Sequence, residues 1–295
     1  MLKFSANLSL LFRELPLLER IKAAREAGFG AAEIQIPYEA PAAALARESA
    51  AAGLPIVLIN APMGPDRGSP GFACRREHAA AFRESLDRAA EYADALRSDA
   101  PGSDAPGVPF VNVLAGRAAL EERGDCIRQL TEHLSLAAEV LGRVGARPLL
   151  EPINPFDAPD YCVPSFDLAA GILSRCDPRV GLQFDIYHAV RLGLDPEAAF
   201  AAVSGRVAHV QFADSPGRHE PGTGTLDFAR IFAAIERSGY GGWLGAEYHP
   251  SGRTADSLGW LRGPAAAPCN EPAAAPRKGP AAAPLNGPVS ADRQR

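Results

Sequence analysis

The chain has 295 residues, is 47% hydrophobic and carries a formal charge of −5. That length and apolar content suffice for one large core, and single α/β barrels commonly run to about this size, so one domain is expected rather than two. The acidic balance gives no basic field for nucleic acid, the cysteines (Cys74, Cys126, Cys162, Cys176 and Cys269) show no paired close spacing, and no apolar run approaches the roughly 20 residues of a membrane helix.

Taken in chain order, strands are expected over 3–6, 31–36, 56–60, 110–114, 148–151, 180–185, 207–211 and 243–247. Between them lie stretches with apolar residues at three- and four-residue steps, expected as helices over 16–27, 41–52, 75–96, 120–144, 166–174, 196–202, 228–237 and 254–261. Gly28, Gly53 and Gly239 stand where a C-terminal helix cap would need left-handed backbone. Eight strands alternating with helices is the plan of a (β/α)8 TIM barrel, here assigned to residues 1–262. Residues 98–109, rich in proline and glycine, are expected as a loop inserted before the fourth strand. From Gly263 an eight-residue unit, first Gly-Pro-Ala-Ala-Ala-Pro-Cys-Asn, occurs three times; residues 263–295 are expected as a disordered Ala/Pro-rich tail with too little to bury. The N-terminus lacks a signal peptide's layout, and a cytoplasmic protein is expected.

Four polar residues close four of the expected strands: Glu151, Asp185, Gln211 and Glu247. In a TIM barrel these ends form the catalytic face, so three carboxylates and one amide oxygen would converge there. That set suits a hard divalent cation, Mg2+ or Mn2+, better than zinc, which favours nitrogen and sulfur. Any one acidic residue past a strand is more often a cap or a surface charge; four at strand ends argue for a site.

The flanking residues carry a resemblance. Glu151-Pro-Ile-Asn154, Gln183-Phe-Asp-Ile-Tyr-His188, His209-Val-Gln-Phe-Ala-Asp214, the 216–224 segment around Arg218, and Gly245-Ala-Glu-Tyr248 are similar to signature segments of hydroxypyruvate isomerases, within the xylose-isomerase-like barrels. Phe4-Ser-Ala-Asn-Leu-Ser9 and Ile59-Asn60-Ala-Pro also match, so the resemblance spans about residues 1–262. It implies isomerisation of hydroxypyruvate to 2-hydroxy-3-oxopropanoate through an enediolate. By similarity, Glu151 and Glu247 are proton carriers as well as metal ligands, Asp185 and Gln211 complete the metal's shell, and His188, Arg218, Asp157 and Asn60 meet the substrate. Arg218 offers a planar fork suited to a carboxylate.

Related ketose 3-epimerases carry histidine at the position of Gln211 and glutamate at that of Asp157, and both differences point to the isomerase. Ile59 departs the other way, standing where some hydroxypyruvate isomerases have histidine. The alternatives are a ketose 3-epimerase or an inosose dehydratase on the same barrel, then a metal-dependent nuclease or a non-catalytic binding protein. A small-molecule hydroxy-keto acid is the expected partner, with a homo-oligomer possible for this superfamily and no nucleic acid or membrane.

Overall fold

The computed structural model describes residues 2–64, 69–96 and 110–262. Its eight strands, β1 (Lys3–Asn7), β2 (Ala31–Ile34), β3 (Ile56–Asn60), β4 (Phe110–Asn112), β5 (Arg147–Leu150), β6 (Gly181–Asp185), β7 (Val207–Phe212) and β8 (Trp243–Ala246), pair in parallel and in sequence order. The barrel closes where β1 pairs with β8. Around it run α1 (Leu17–Ala27), α2 (Ala42–Ala52), α3 (Ala79–Ala95), α4 (Arg123–Gly142), α5 (Phe166–Leu173), α6 (Ile186–Arg191), α7 (Pro196–Val203) and α8 (Phe228–Arg237). The expected TIM barrel is the fold. The inserted loop and the tail expected from composition lie outside the described residues, as does Cys269.

Two elements differ from expectation. The eighth helix, expected over 254–261, is two 3₁₀ turns, Thr254–Ser257 and Gly259–Arg262. Thr, Asp, Ser and Gly are weak helix formers, and the hydroxyls here have other work: Thr254 Oγ1 accepts from the Phe12 N–H at 2.7 Å, and Ser257 Oγ lies 3.0 Å from the Tyr248 hydroxyl. The second difference is α6, which follows β6 directly. Asp185 caps it, its Oδ1 accepting from the Tyr187 N–H at 2.8 Å. Six residues are too few to display a helical period.

The main apolar core lies between the strands and the helix ring, which is why outward strand positions such as Ala6, Ile34, Ile59, Val111, Leu150, Phe184 and Val210 are fully buried or nearly so. Trp260, in the last turn, packs its ring on Phe4 of β1 and Phe212 of β7, with centroids at 5.3 and 5.1 Å. Thus the end of the described chain packs over the barrel seam.

The barrel lumen follows the two-residue period of a strand, and its content changes with height. Leu58, Leu149 and Ala208 form a small separate apolar cluster with Phe110. One step towards the C-terminal ends, the lumen turns polar. Ser5 Oγ donates to Glu33 Oε1 at 2.5 Å, His209 Nε2 meets the same oxygen at 2.9 Å, and Gln211 Nε2 donates to Glu33 Oε2 at 2.7 Å. Gly245 makes room for this group, because a Cβ there would overlap the Glu33 carboxylate. Replacing Gly245 by Ala should therefore destabilise the fold by about 1–3 kcal/mol or more through overpacking against a carboxylate that cannot retreat. Urea denaturation of the two proteins measures this, and equal midpoints would show that the lumen has slack.

Candidate active site

The strand ends carry the next layer up. Glu151 follows β5, Asp185 closes β6, Gln211 stands beside Asp185 in the β6–β7 register, and Glu247 follows β8, its backbone N–H donating to Phe212 O at 3.0 Å. All four are at most 5% exposed. Buried carboxylates are costly unless paired, and the pairing differs from one to the next.

Glu151, Asp185 and His188 offer ligand atoms that all lie within 4.8 Å of one another. His188 Nε2 is 3.6 Å from Asp185 Oδ2 and 3.9 Å from Glu151 Oε1. Its other ring nitrogen, Nδ1, lies 2.7 Å from Asn154 Nδ2, an amide that can only donate, so the ring proton is assigned to Nε2, facing the carboxylates. The second N–H of the same amide reaches Asp157 Oδ2 at 3.1 Å. Burial pushes the His188 ring below its ordinary value, with Asp185 opposing and Arg218 assisting.

Glu247 stands outside that compact set. Asn7 Nδ2 donates to its Oε2 at 3.0 Å and Arg218 Nη2 to its Oε1 at 2.7 Å. The same guanidinium lies 3.6 Å from Asp185 Oδ2 and 3.6 Å from Asp157 Oδ2, and it stacks on the Tyr187 ring. Arg218, expected as a clamp for substrate, is thus the counter-ion of the site's own carboxylates. Asp214 holds the loop that delivers it: its carboxylate accepts backbone N–H bonds from Ser215, Gly222, Gly224 and Leu226.

Gln211 is engaged on both ends of its amide, by Glu33 and, at Oε1, by Gln183 Nε2 at 2.6 Å. Asn60 ends β3, buried and in register with Asn112. Asn112 is the more informative of the two, since its Nδ2 donates to Glu151 Oε2 at 2.7 Å. Sequence reasoning assigned no role to Asn7, Asn112, Asn154 or Glu33. For Asn7 and Asn112 the signal was the period, since they sit two residues from Ser5 and Phe110 on the inward faces of their strands, as Gln183 does from Asp185; Asn154, in a loop, and Glu33, the lone polar residue of β2, carried no such signal.

The carboxylates strain against one another. Burial, then the charge of Asp185, pushes Glu151 up to about 7, while Asn112, Arg218 and Gln183 pull it down. Glu247 is raised well above the usual range, chiefly by burial, against the pull of Arg218. Glu33 goes the other way: burial alone would raise it, but His209 and the donors of Ser5 and Gln211 hold it below the ordinary value.

Whether the donor set fits a cation can be read from one atom. Asp185 Oδ2 is buried without a hydrogen-bond partner, beside two carboxylates with elevated proton affinity. With Arg218 and His188 standing off at 3.6 Å, this oxygen still lacks a bond that a divalent cation would supply, and oxygen ligands suit a hard ion.

A family profile described as xylose isomerase-like TIM barrel matches residues 21–263. The 2-oxo-tetronate isomerase of Pectobacterium atrosepticum is 35% identical over 88% of this chain and 96% of its own length. The hydroxypyruvate isomerase of Escherichia coli is 34% identical over 88% of this chain and 98% of its own. The chain belongs to the hydroxypyruvate isomerase family of xylose isomerase-like barrels. Membership makes it an enzyme, an isomerase. A crystal structure titled AP endonuclease, family 2, from Brucella melitensis is 35% identical with a TM-score of 0.81, covering 89% of this chain and 98% of that one. Among the described residues no helix is long and apolar enough to cross a membrane.

The raised Glu151 carboxyl makes the metal-free protein's stability depend on pH. Below about 4.5 the group is protonated in both folded and unfolded chains; between 4.5 and about 7 the unfolded chain has released the proton and the folded one retains it. Stability of the metal-free protein should then fall as pH rises through that window, by up to about 3 kcal/mol relative to Glu151→Gln. Denaturant titrations of both proteins in chelator at pH 5, 6, 7 and 8 give the difference, and parallel curves would remove the carboxyl's assigned strain.

Proposed function

We propose that the enzyme interconverts hydroxypyruvate and 2-hydroxy-3-oxopropanoate by proton transfer through an enediolate. The observation that carries this reading is the pair of buried carboxylates Glu151 and Glu247, both raised in proton affinity, grouped with Asp185 and overlooked by Arg218. Isomerisation moves one proton from C3 to C2, so it needs a base near one carbon and an acid near the next. A carboxyl pushed up to about 7, as Glu151 is, can take either role, because it neither holds the proton too tightly nor releases it too readily. One of the two glutamates takes the C3 proton, giving a planar enediolate; a proton returns to C2 from the other, and the C3 hydroxyl proton passes to the C2 oxygen. Atoms balance without a co-reactant.

Glu151, Asp185, Glu247 and the Gln211 amide oxygen are the proposed holders of Mg2+ or Mn2+, which would supply positive charge for the developing enediolate. His188, placed among these carboxylates by its Asn154 bond, directs an N–H to the same region. Arg218 receives the substrate carboxylate, turning part of its fork from Glu247 to the ligand. Asp157 holds the other side of the guanidinium and keeps it oriented. Asn60, at the end of β3, is proposed to line the substrate's far side.

The E. coli relative's name favours the three-carbon acid, and the P. atrosepticum relative's name supports a second reading, a four-carbon 2-oxo acid that presents the same carboxylate, carbonyl and neighbouring hydroxyl. Nuclease chemistry has less behind it: the net charge is −5, and the described residues hold one compact ligand cluster.

Proton NMR in D2O decides among these. With Mg2+, hydroxypyruvate should lose its C3 methylene signal as the aldehyde appears; with EDTA, or with Glu247→Gln, the rate should fall by about 10²–10⁴-fold. Turnover of the four-carbon acid with hydroxypyruvate untouched would move the substrate assignment, and persistence of both would reject the proposal. For Arg218→Met, loss of a charge-assisted pair worth about 1.5–3 kcal/mol should lower kcat/KM roughly 10–10²-fold, mostly through KM. Steady-state kinetics that leave KM unchanged would take the carboxylate away from Arg218.

A further inference from the structure

Glu33 is the one carboxylate in the lumen that the isomerisation does not use. It is fully buried, one layer beneath the strand ends, and everything that touches its oxygens donates: Ser5 Oγ and His209 Nε2 to Oε1, Gln211 Nε2 to Oε2. Gly245 leaves it just enough room and would not with a side chain. An amide is symmetric in shape and asymmetric in chemistry, so Gln211 could sit in its slot with either end towards Glu33. An acceptor-only carboxylate accepts only the nitrogen end.

We propose that Glu33 is a positioning residue for the barrel mouth: by accepting the Gln211 N–H it fixes the Gln211 amide oxygen on the side of the site carboxylates. The consequence runs along the network. Gln211 Oε1 faces β6 and accepts from Gln183 Nε2, and the Gln183 amide in turn lies beside Glu151, whose proton affinity it lowers. A carbonyl oxygen has two lone pairs, so the one engaged by Gln183 leaves a second for a cation. With the amide reversed, Gln211 would point N–H groups at the cation site and could not ligate. The inference rests on the metal reading of the preceding subsection.

Mn2+ binding, followed by loss of the free aqueous Mn2+ EPR signal, tests it without recourse to activity. The proteins are the wild type, Glu33→Gln, Gln211→Leu and the double variant, each checked for folding by circular dichroism. Glu33→Gln keeps the shape but adds an amide that can donate, so Gln211 is free to reverse. Its Mn2+ affinity should fall about 10–100-fold, as when an outer partner of a ligand is lost. The double variant should bind no more weakly than Gln211→Leu alone, because Glu33 acts through Gln211. A folded Glu33→Gln protein with wild-type affinity, or losses that multiply in the double variant, would overturn the proposal. If Glu33→Gln does not fold, His209→Gln takes its place: it loosens the carboxylate without altering Glu33 or Gln211, and several-fold weaker Mn2+ binding supports the proposal where unchanged binding overturns it. A wild-type protein that binds no Mn2+ overturns the metal reading itself, before any variant is compared.

Discussion

Four carboxylates, Glu33, Glu151, Asp185 and Glu247, share the upper half of one barrel lumen, each at most 5% exposed. At an effective dielectric typical of proteins, two such charges about 4 Å apart repel by about 4 kcal/mol, so the arrangement survives only through what surrounds it. Each has found a different answer. Glu33 collects three donors from two strands, β1 and β7, Glu247 takes the Arg218 guanidinium, Asp185 caps α6 with one oxygen, and Glu151 has neutral amides and a raised proton affinity. The deficit is greatest at Asp185 Oδ2 and Glu151, which is where the fold has left room for positive charge from outside.

The rim is built to hold that geometry without regular structure. In the loop after β5 one amide, Asn154, holds Asp157 and His188 together through its two N–H groups, and the loop after β7 is wound around the Asp214 carboxylate. Side-chain bonds to backbone replace the ladder that a strand would provide. The site is therefore assembled from loops whose shape is set by buried side-chain hydrogen bonds.

How much of this the sequence disclosed follows from the physics of each part. Strand ends at Glu151, Asp185, Gln211 and Glu247 were legible because each closes an apolar run, and the alternation of runs with helical periods specified the barrel. Glu33 was not, because Ala31-Ala-Glu-Ile reads as a strand with one polar residue facing solvent, and only closure of the barrel turns that face inward. The short α6 was hidden by its length, and the last expected helix failed because its hydroxyls bond elsewhere. Arg218 was visible as a cation near the mouth, but its present partners, Glu247 and Asp185, depend on where a loop turns, which no local pattern encodes.

That turn has a consequence for how this enzyme can be improved. Arg218 sits at φ 56, in left-handed backbone that a side chain with a Cβ adopts at some cost, and its N–H and carbonyl are both tied, to Asp214 O and to the His249 N–H. Glycine would relax the backbone here by about 1–3 kcal/mol, but it would leave Glu247 and Asp185 without their counter-ion, and breaking a buried pair costs about 3–5 kcal/mol. The strained turn is kept because the charge it delivers outweighs it, so stability and charge balance favour arginine at the same position, and relaxing the backbone there loosens the whole mouth.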